Sequence, residues 1–236
     1  MLDFDRYSVL TFDCYGTLID WESGILRALK PIFANRGIPV SDSELLERYG
    51  EIEAQMESGN YKPYRQILRE AVAGLGLRYN FSPVANEMEC LPDSLQYWQP
   101  FPDSVAALKR LKKLYKLAIV SNVDEDMFEA SARKLEVPFD HVITASQARS
   151  YKPSHNNFEC ALDRIGLPRE QVLHVAQSIY HDIIPARALG ISSVWVNRRK
   201  GLSGSGATLP AEGRPDLEVP DLRSLADLLV EDVTVH

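Results

Sequence analysis

Side chains that could do chemistry stand at the ends of successive apolar segments in this sequence of 236 residues. The first segment ends at Asp13, a sharp turn follows at Gly16, and Thr17 then offers a hydroxyl back toward the carboxylate. The later segments end in, or are followed by, Ser121 and Asn122, then Lys152, then Gln177, Ser178 and Asp182. A carboxylate, a hydroxyl with an amide, an ammonium and a second carboxylate could provide a nucleophile, an anion pocket and a charge partner.

Asp13 taken alone has two interpretations. An aspartate at the end of a strand is either a reactive carboxylate or a polar residue that only ends the strand, and a short motif does not separate the two. The polar residues after the later segments favour reactivity, because α/β folds bind their ligands at the carboxyl ends of the strands. We therefore expect these residues to meet in one site.

Five apolar segments predict the strands of one buried sheet. Their near-continuous apolar character is typical of parallel strands that are covered on both faces. Helical patterns separate them, and this alternation predicts a doubly wound, Rossmann-like α/β fold with a parallel sheet. The strand segments are 8–12, 117–120, 141–144, 172–176 and 193–196, and the helical segments are 104–115, 126–135, 156–165, 185–189 and 222–230.

The alternation is interrupted between about residues 20 and 92. This stretch carries apolar residues at helical spacing and nothing like a parallel strand, so it predicts a helical insertion directly after the first strand. The alternative, that these helices merely extend the core, stays open. The stretch 202–220 is rich in glycine, serine and proline and predicts an exposed loop.

Composition limits the classes of partner. The formal net charge is −7 and the isoelectric point about 5.3, which disfavours nucleic acid and anionic membranes as partners. No apolar run approaches the roughly 20 residues that span a bilayer, and the amino terminus does not resemble a signal peptide. Cys14, Cys90 and Cys160 are too sparse for a disulfide framework or a zinc site. We expect a cytoplasmic protein whose partner is a small-molecule substrate.

The order of the polar groups resembles the four motifs of the haloacid dehalogenase superfamily. Those motifs correspond here to Asp13-x-x-x-Thr17, Ser121, Lys152 and Asp182, and the resemblance covers nearly the whole chain. It implies a core domain of residues 1–18 and 98–236. It also implies that residues 19–97 form a helical cap over the substrate, and by analogy such caps can carry the contacts of a homodimer.

The resemblance also implies a role for each group. Asp13 would be the nucleophile, Lys152 would hold and balance its carboxylate, and Asp182 would position Lys152 and help to activate the hydrolytic water. The implied catalytic set is Asp13, Thr17, Lys152, Gln177, Ser178 and Asp182. The implied substrate-binding set, in which Ser121 and Asn122 take the acidic group of the substrate, is Cys14, Tyr15, Ser121, Asn122 and Arg48.

Two positions distinguish the branches of this superfamily. Its phosphatases carry an aspartate two residues after the nucleophile, as the acid for an alkoxide leaving group, and this chain has Tyr15 there. They also carry an aspartate that binds magnesium before the final aspartate, and the matching residue is Gln177, a poor ligand for a hard dication. A halide leaves without a proton, and FDCYGTL resembles the FDxYGTL of 2-haloacid dehalogenases. We therefore expect hydrolytic dehalogenation of 2-haloalkanoic acids, with no metal and no cofactor.

The match to those dehalogenases is incomplete. Their fourth motif resembles Ser-Ser-Asn-x-x-Asp, and this chain has Ile179 where the water-positioning asparagine is expected. His181 replaces a tryptophan and Phe158 replaces a tyrosine. Two alternatives therefore remain, a magnesium-dependent small-molecule phosphatase and a binding protein that keeps the fold without catalysis.

The arginine that the resemblance expects from the cap has two candidates. Arg48 is the first and Arg65 the second, although each also fits an exposed helix position. Tyr61 and Tyr64 are either pocket residues or part of the core of the cap. Alternation along the first strand turns the Cys14 side chain away from Asp13, which leaves its backbone N–H to face the site.

Overall fold

A computed structural model describes residues 2–231 and contains one sheet of six parallel strands. The strand order is β3-β2-β1-β4-β5-β6. This sheet, flanked by helices, confirms the predicted doubly wound α/β class and adds β6 to the five predicted strands. The strands are β1 Val9–Phe12, β2 Lys116–Ser121, β3 His141–Thr144, β4 Val172–Ala176, β5 Ser192–Val196 and β6 Leu217–Val219.

The register of the central strands brings their carboxyl ends level. Phe12 at the end of β1 pairs with Ile119 of β2 on one side and with Val175 of β4 on the other. The chain winds outward in one direction through β2 and β3 and in the other through β4 to β6. This order leaves a crevice beyond the end of β1, the position where such sheets bind ligands.

Six helices accompany the later strands. Two of them, α6 and α11, pack against each other, while Phe158 of α9 and Ala186 of α10 form a separate buried cluster with Val172 and Ile191. The predicted helix 104–115 is shorter than expected and ends at Leu111. The bounds are α6 Ser104–Leu111, α7 Glu125–Leu135, α8 Ala145–Ala148, α9 His155–Ile165, α10 Ile184–Ala188 and α11 Leu222–Glu231.

Five helices lie between β1 and α6, as the helical pattern predicts. Asp20 caps α1 by accepting from the backbone of Ser23, and Ser41 caps α2 by accepting from Glu44. None of the helices in the part of the chain that the structure describes is long and apolar enough to span a membrane. The bounds are α1 Trp21–Asn35, α2 Asp42–Glu57, α3 Tyr64–Arg78, α4 Ala85–Met88 and α5 Cys90–Ser94.

The prediction that residues 202–220 form an exposed loop is wrong in part. Residues 206–208 are buried, and β6 lies within the stretch. The backbone N–H of Ala207 donates to Glu22, and that of Ser205 donates to Glu47 on α2. A side chain at Gly50 of α2 would lie 2.4 Å from the carbonyl oxygen of Ala207, so helix and loop approach at backbone distance. The missing side chain of Gly50 permits this contact, and a Cβ at Gly204 or Gly206 in the loop would meet the carboxylate of Glu47 or Glu22.

Candidate active site

The turn after β1 holds the Asp13 carboxylate in a fixed direction. The Thr17 hydroxyl donates to Oδ2 of Asp13 at 2.7 Å, and Thr17 Oγ1 accepts from the backbone N–H of Gln177 at 2.9 Å. Gly16 has a φ of 93°, and a Cβ there would lie 2.9 Å from the Trp21 indole nitrogen. A residue with a side chain would strain this turn, and Thr17 joins the loops after β1 and β4.

The Lys152 ammonium lies between two carboxylates. Its Nζ donates to Oδ1 of Asp13 at 2.9 Å, to Oδ1 of Asp182 at 2.7 Å and to the carbonyl of Val120 at 2.9 Å. The lysine side chain is 1% exposed, so these bonds act in a medium of low polarity. An ammonium has three donors, and all three are used, so Lys152 is committed to the two aspartates.

The charges of this triad shift the pKa values of all its members. Burial alone would lower the pKa of Lys152, but Asp13 and Asp182 outweigh it and raise that pKa above its ordinary value. Burial opposes ionisation of Asp182 too, yet Lys152 and His174 lower its pKa to about 2. Burial raises the pKa of Asp13, while Lys152 and Thr17 oppose that rise. Of the two carboxyls, Asp182 is therefore the one that stays ionised at neutral pH.

His174 lies within the predicted strand 172–176 and contacts Asp182. Its Nε2 lies 2.9 Å from Oδ1 of Asp182, and its Nδ1 lies 2.9 Å from the hydroxyl of Thr11. An ionised carboxylate only accepts, so His174 donates from Nε2. Oδ1 of Asp182 is thereby held by two donors, while Oδ2 is buried without a partner among residues 2–231. A histidine in an otherwise apolar strand was the available signal.

Ser121 and Asn122 have different environments at the end of β2. The Ser121 hydroxyl is buried and has no hydrogen-bond partner among the described residues. Asn122 accepts from the backbone N–H of Lys152 at 2.7 Å and donates to its carbonyl at 3.0 Å. Asn122 therefore fixes the backbone that carries the lysine, and Ser121 is the group with a hydroxyl to offer a ligand.

Tyr15, Gln177 and Ser178 line the same cavity as Asp13, and Cys14 does not. The Tyr15 hydroxyl lies 3.0 Å from the Ser131 hydroxyl, and the ring packs edge-on against Trp98. Burial raises the pKa of Tyr15 well above its ordinary value, so the phenol stays protonated. Ser178 accepts from the backbone of His181 and begins a π-helical turn over Ile179–Ile183, which contains Asp182.

Helix α2 brings two acidic residues into the cavity that sequence reasoning did not find. Glu53 and Glu57 of α2 line it together with Asp13. They are four residues apart and so share one helix face. The hydroxyls of Tyr49 and Tyr64 donate to Oε1 of Glu53 at 2.6 and 2.7 Å. Acidic residues at this spacing were the available signal, but they are also common on solvated faces. The pocket therefore holds more acid than predicted.

The structure does not bring Arg48 to this cavity, contrary to its expected place there. Its guanidinium pairs with Glu51 one turn along the same helix, at 2.6 Å. Five residues separate Arg48 from Glu53, which turns the two side chains by about 140° around the helix axis. Because Glu53 faces the cavity, Arg48 faces away from it. Arg65 lies near Asp93 and Asp126 and is also absent from the cavity wall.

The remaining candidates lie in or beside the cavity. Tyr64 and His181 line it, and Tyr61 lines a neighbouring cavity of about 370 Å³ that shares Glu57 and Lys152 with the first. Burial lowers the pKa of His181 to about 4, so its ring is neutral near neutral pH. Within residues 2–231, no group of three or more histidine, cysteine, aspartate or glutamate side chains is arranged to hold a metal ion.

Glu53 predicts a pH-dependent loss of stability. Burial raises its pKa from 4.5 to about 7, so the folded protein holds this proton more tightly than the unfolded chain. The resulting stability is fully present below pH 4.5 and is lost as the pH rises through 7. We expect the unfolding free energy of wild type to fall relative to Glu53→Gln by up to about 3 kcal/mol between about pH 5 and pH 8.

Urea unfolding at several pH values measures this difference. Glu51→Gln, an exposed substitution on the same helix, is the control and should follow wild type at every pH. A constant difference between wild type and Glu53→Gln across the range would contradict the prediction.

Comparison with known proteins identifies the family. A family model described as a haloacid dehalogenase-like hydrolase matches residues 7–190. The chain therefore belongs to the haloacid dehalogenase-like hydrolases. It is 30% identical over 233 residues to the (S)-2-haloacid dehalogenase of Pseudomonas sp. (strain YL), a match that covers 95% of each chain. It is 28% identical over 229 residues to (S)-2-haloacid dehalogenase H-109 of Pseudomonas putida, which covers 94% of this chain and 97% of the relative.

Solved structures agree with this assignment. The L-2-haloacid dehalogenase of Xanthobacter autotrophicus, solved with chloropropionic acid covalently bound, superposes with a TM-score of 0.77 at 25% identity. The match covers 95% of this chain and 98% of that chain. The shared fold therefore includes the helices between β1 and β2 as well as the sheet.

Proposed function

We propose that this protein is a 2-haloacid dehalogenase, a hydrolase that converts a 2-haloalkanoic acid and water into a hydroxy acid, a halide ion and a proton. The main support is the Asp13 carboxylate in the wall of the cavity. Lys152 donates a hydrogen bond to one of its oxygens and Thr17 donates to the other. The two Pseudomonas relatives are dehalogenases of this substrate class and support the proposal.

In the first step, an oxygen of Asp13 attacks the carbon that carries the halogen. A carbon–oxygen bond forms, the carbon–halogen bond breaks, and its electron pair leaves with the halide. The product is an ester between Asp13 and the substrate. Lys152 and Thr17 aim the carboxylate, and the unpartnered Ser121 hydroxyl is available to donate to the acid group of the substrate.

In the second step, water attacks the carbonyl carbon of the Asp13 ester. One proton of that water passes to the departing oxygen, so the substrate leaves as the hydroxy acid, and the other proton is released. Asp13 returns to its carboxylate with one oxygen from water. Oδ2 of Asp182 is buried and unpartnered, so it can accept a hydrogen bond from that water. Lys152 and His174 hold the other oxygen and thereby fix the direction of Oδ2.

The residues around Asp13 suit a leaving group that needs no acid. Tyr15 stands where a phosphatase of this superfamily has its acid, and its protonated phenol is engaged with Ser131. Gln177 stands where those phosphatases have a carboxylate for magnesium, and a neutral amide suits that dication poorly. A halide departs as a stable anion in the first step, so that step needs neither the acid nor the magnesium ligand of the phosphatases.

We propose that residues 19–97 act as a cap over a core of residues 1–18 and 98–236. Trp21, Glu53, Glu57 and Tyr64 from this segment line the cavity opposite the residues at the ends of the strands. The cavity has a volume of about 30 Å³, enough for water molecules only. A haloacid therefore enters when cap and core separate.

The setting of the protein is a further part of the proposal. The net charge of −7 argues against nucleic acid as a partner, and the sparse cysteines argue for the cytoplasm. A homodimer follows from analogy with capped folds. Sedimentation equilibrium of the purified chain distinguishes monomer from dimer.

Halide release tests the proposed reaction. With EDTA present, wild type should release halide from 2-chloropropionate, or from chloro-, bromo- or fluoroacetate, with one hydroxy acid formed for each halide. The absence of release from all four compounds, together with turnover of a phosphate ester, would contradict the proposal.

A further inference from the structure

The cavity is acidic for an enzyme whose substrate is an anion. Four carboxyl groups line it, from Asp13, Glu53, Glu57 and Asp182. Lys152 is the one permanent cation in the wall among residues 2–231, and its three donors are used by Asp13, Asp182 and Val120. A simple haloacid would bring a further negative charge to a wall that has no free cation to offer it.

The cap carboxyls are held by donors that leave one oxygen of each open. Both tyrosine hydroxyls reach Oε1 of Glu53, and Asn122 donates to Oε2 of Glu57 at 3.2 Å. Oε2 of Glu53 and Oε1 of Glu57 have no hydrogen-bond partner among the described residues. The two open oxygens belong to residues one helical turn apart, so they can serve a single ligand group that carries donors.

Two other side chains independently indicate a ligand here. The Ser121 hydroxyl and Oδ2 of Asp182 are unpartnered, and both residues are 1% exposed and line the same cavity. Buried polar atoms are rarely left without a partner, so these atoms indicate a polar ligand. Ser121 can donate to an acid group, whereas Glu53 and Glu57 call for a group of opposite charge.

We propose that the substrate is a zwitterionic 2-haloacid, whose ammonium group binds between Glu53 and Glu57 while its acid group faces Ser121. This inference rests on the proposed dehalogenation and specifies the substrate class. Glu57 lines both the inner cavity and the neighbouring cavity of about 370 Å³. The ammonium therefore lies on the side chain of the substrate, a few bonds from the reacting carbon and toward the larger cavity.

Burial makes the cap pair hard to ionise in the absence of a cation. Burial raises the pKa of Glu57 well above its ordinary value, and the charge of Glu53 raises it further. Burial also raises the pKa of Glu53, to about 7. A cation between the buried Glu53 and the half-buried Glu57 would relieve their repulsion and favour their ionised forms.

A pair of isosteric substrates tests the inference. 4-Amino-2-chlorobutanoate and 2-chloropentanoate differ by an ammonium in place of a methyl group. We expect kcat/KM for halide release, corrected for spontaneous release, to be at least about tenfold higher for the amino acid. Glu53→Gln and Glu57→Gln should each lower the ratio of kcat/KM for the amino acid to kcat/KM for 2-chloropentanoate at least about tenfold. Glu51→Gln on the exposed side of α2 is the matched control and should change neither.

Binding to the inactive variant Asp13→Asn separates the two proposals. Calorimetry with the same two compounds should show tighter binding of the amino acid, and Glu57→Gln in that background should remove the preference. If Asp13→Asn binds the amino acid more tightly but wild type releases no halide, the proposed dehalogenation is contradicted and the ammonium site stands. Equal binding, or equal loss of both substrates in the glutamate variants, would overturn the ammonium site and leave the dehalogenation standing.

Discussion

Replacing Asp13 by asparagine should lower the rate of halide release at least about 10³-fold, a loss comparable to that for other essential catalytic groups. The amide has nearly the shape of the carboxylate but is a poor nucleophile, so no ester forms. The Thr17 hydroxyl can still donate to the amide oxygen, which keeps the turn after β1 in place. Rates with 2-chloropropionate, and thermal melting as a check of folding, measure the effect.

Asp126→Asn is the matched control for that substitution. Asp126 is an exposed aspartate whose side chain is 73% accessible, and its loss should leave the rate within a factor of about two. If Asp13→Asn retained activity within tenfold of wild type, Asp13 would only end the strand, and the proposed chemistry would fail.

Replacing Lys152 by methionine should damage both stability and activity. It leaves Asp13 and Asp182 facing each other in a buried site without their shared cation. Removal of one partner from a buried ion pair costs about 3–5 kcal/mol of unfolding free energy. We expect a loss of that size, together with a fall in halide release of at least about 10²-fold, because the nucleophile is no longer held.

The loss of stability in Lys152→Met should grow with pH. Without the ammonium, the pKa values of both aspartates rise, so folding favours their protonated forms and weakens as the pH passes those values. Urea unfolding at about pH 5 and about pH 8 measures this. Lys109→Met, which breaks an exposed pair with Glu136, is the control and should cost less than about 1 kcal/mol at either pH. Equal stability of Lys152→Met and wild type would show that Lys152 does not stabilise the fold by pairing with Asp13 and Asp182.

Lys152 and Asp182 come eight and six residues after the ends of β3 and β4, so their expected places also rest on the resemblance to the superfamily motifs. The position of Asp13 follows from the sequence itself, because parallel strands bring their carboxyl ends to one edge. Apolar runs locate strands, strands locate their ends, and a polar residue just beyond an end then has only one region to occupy. The resemblance to the haloacid dehalogenase superfamily rests on the order of the same residues, whereas their expected meeting at one edge of the sheet rests on short-range pattern and one rule of topology.

The cavity residues on α2 could not be derived in this way. Helical spacing predicts that α2 is a helix, but it does not say which face meets the core. Arg48 and Glu53 both lie on α2, and only the packing of that helix on the core brings the glutamate inward. Thr208 also lines the cavity, and the sequence did not predict this. Its glycine-rich segment resembles a solvated loop, and only the packing against α2 shows that it is buried.

The origin of the product oxygen tests the covalent mechanism most directly. Wild-type enzyme in excess over 2-chloropropionate is allowed one turnover in water enriched in the heavy isotope of oxygen. An ester on Asp13 predicts light oxygen in the hydroxyl of the product and heavy oxygen in the peptide that contains Asp13. Heavy oxygen in the product of that first turnover, with none in Asp13, would show direct attack of water on the substrate and contradict an ester on Asp13.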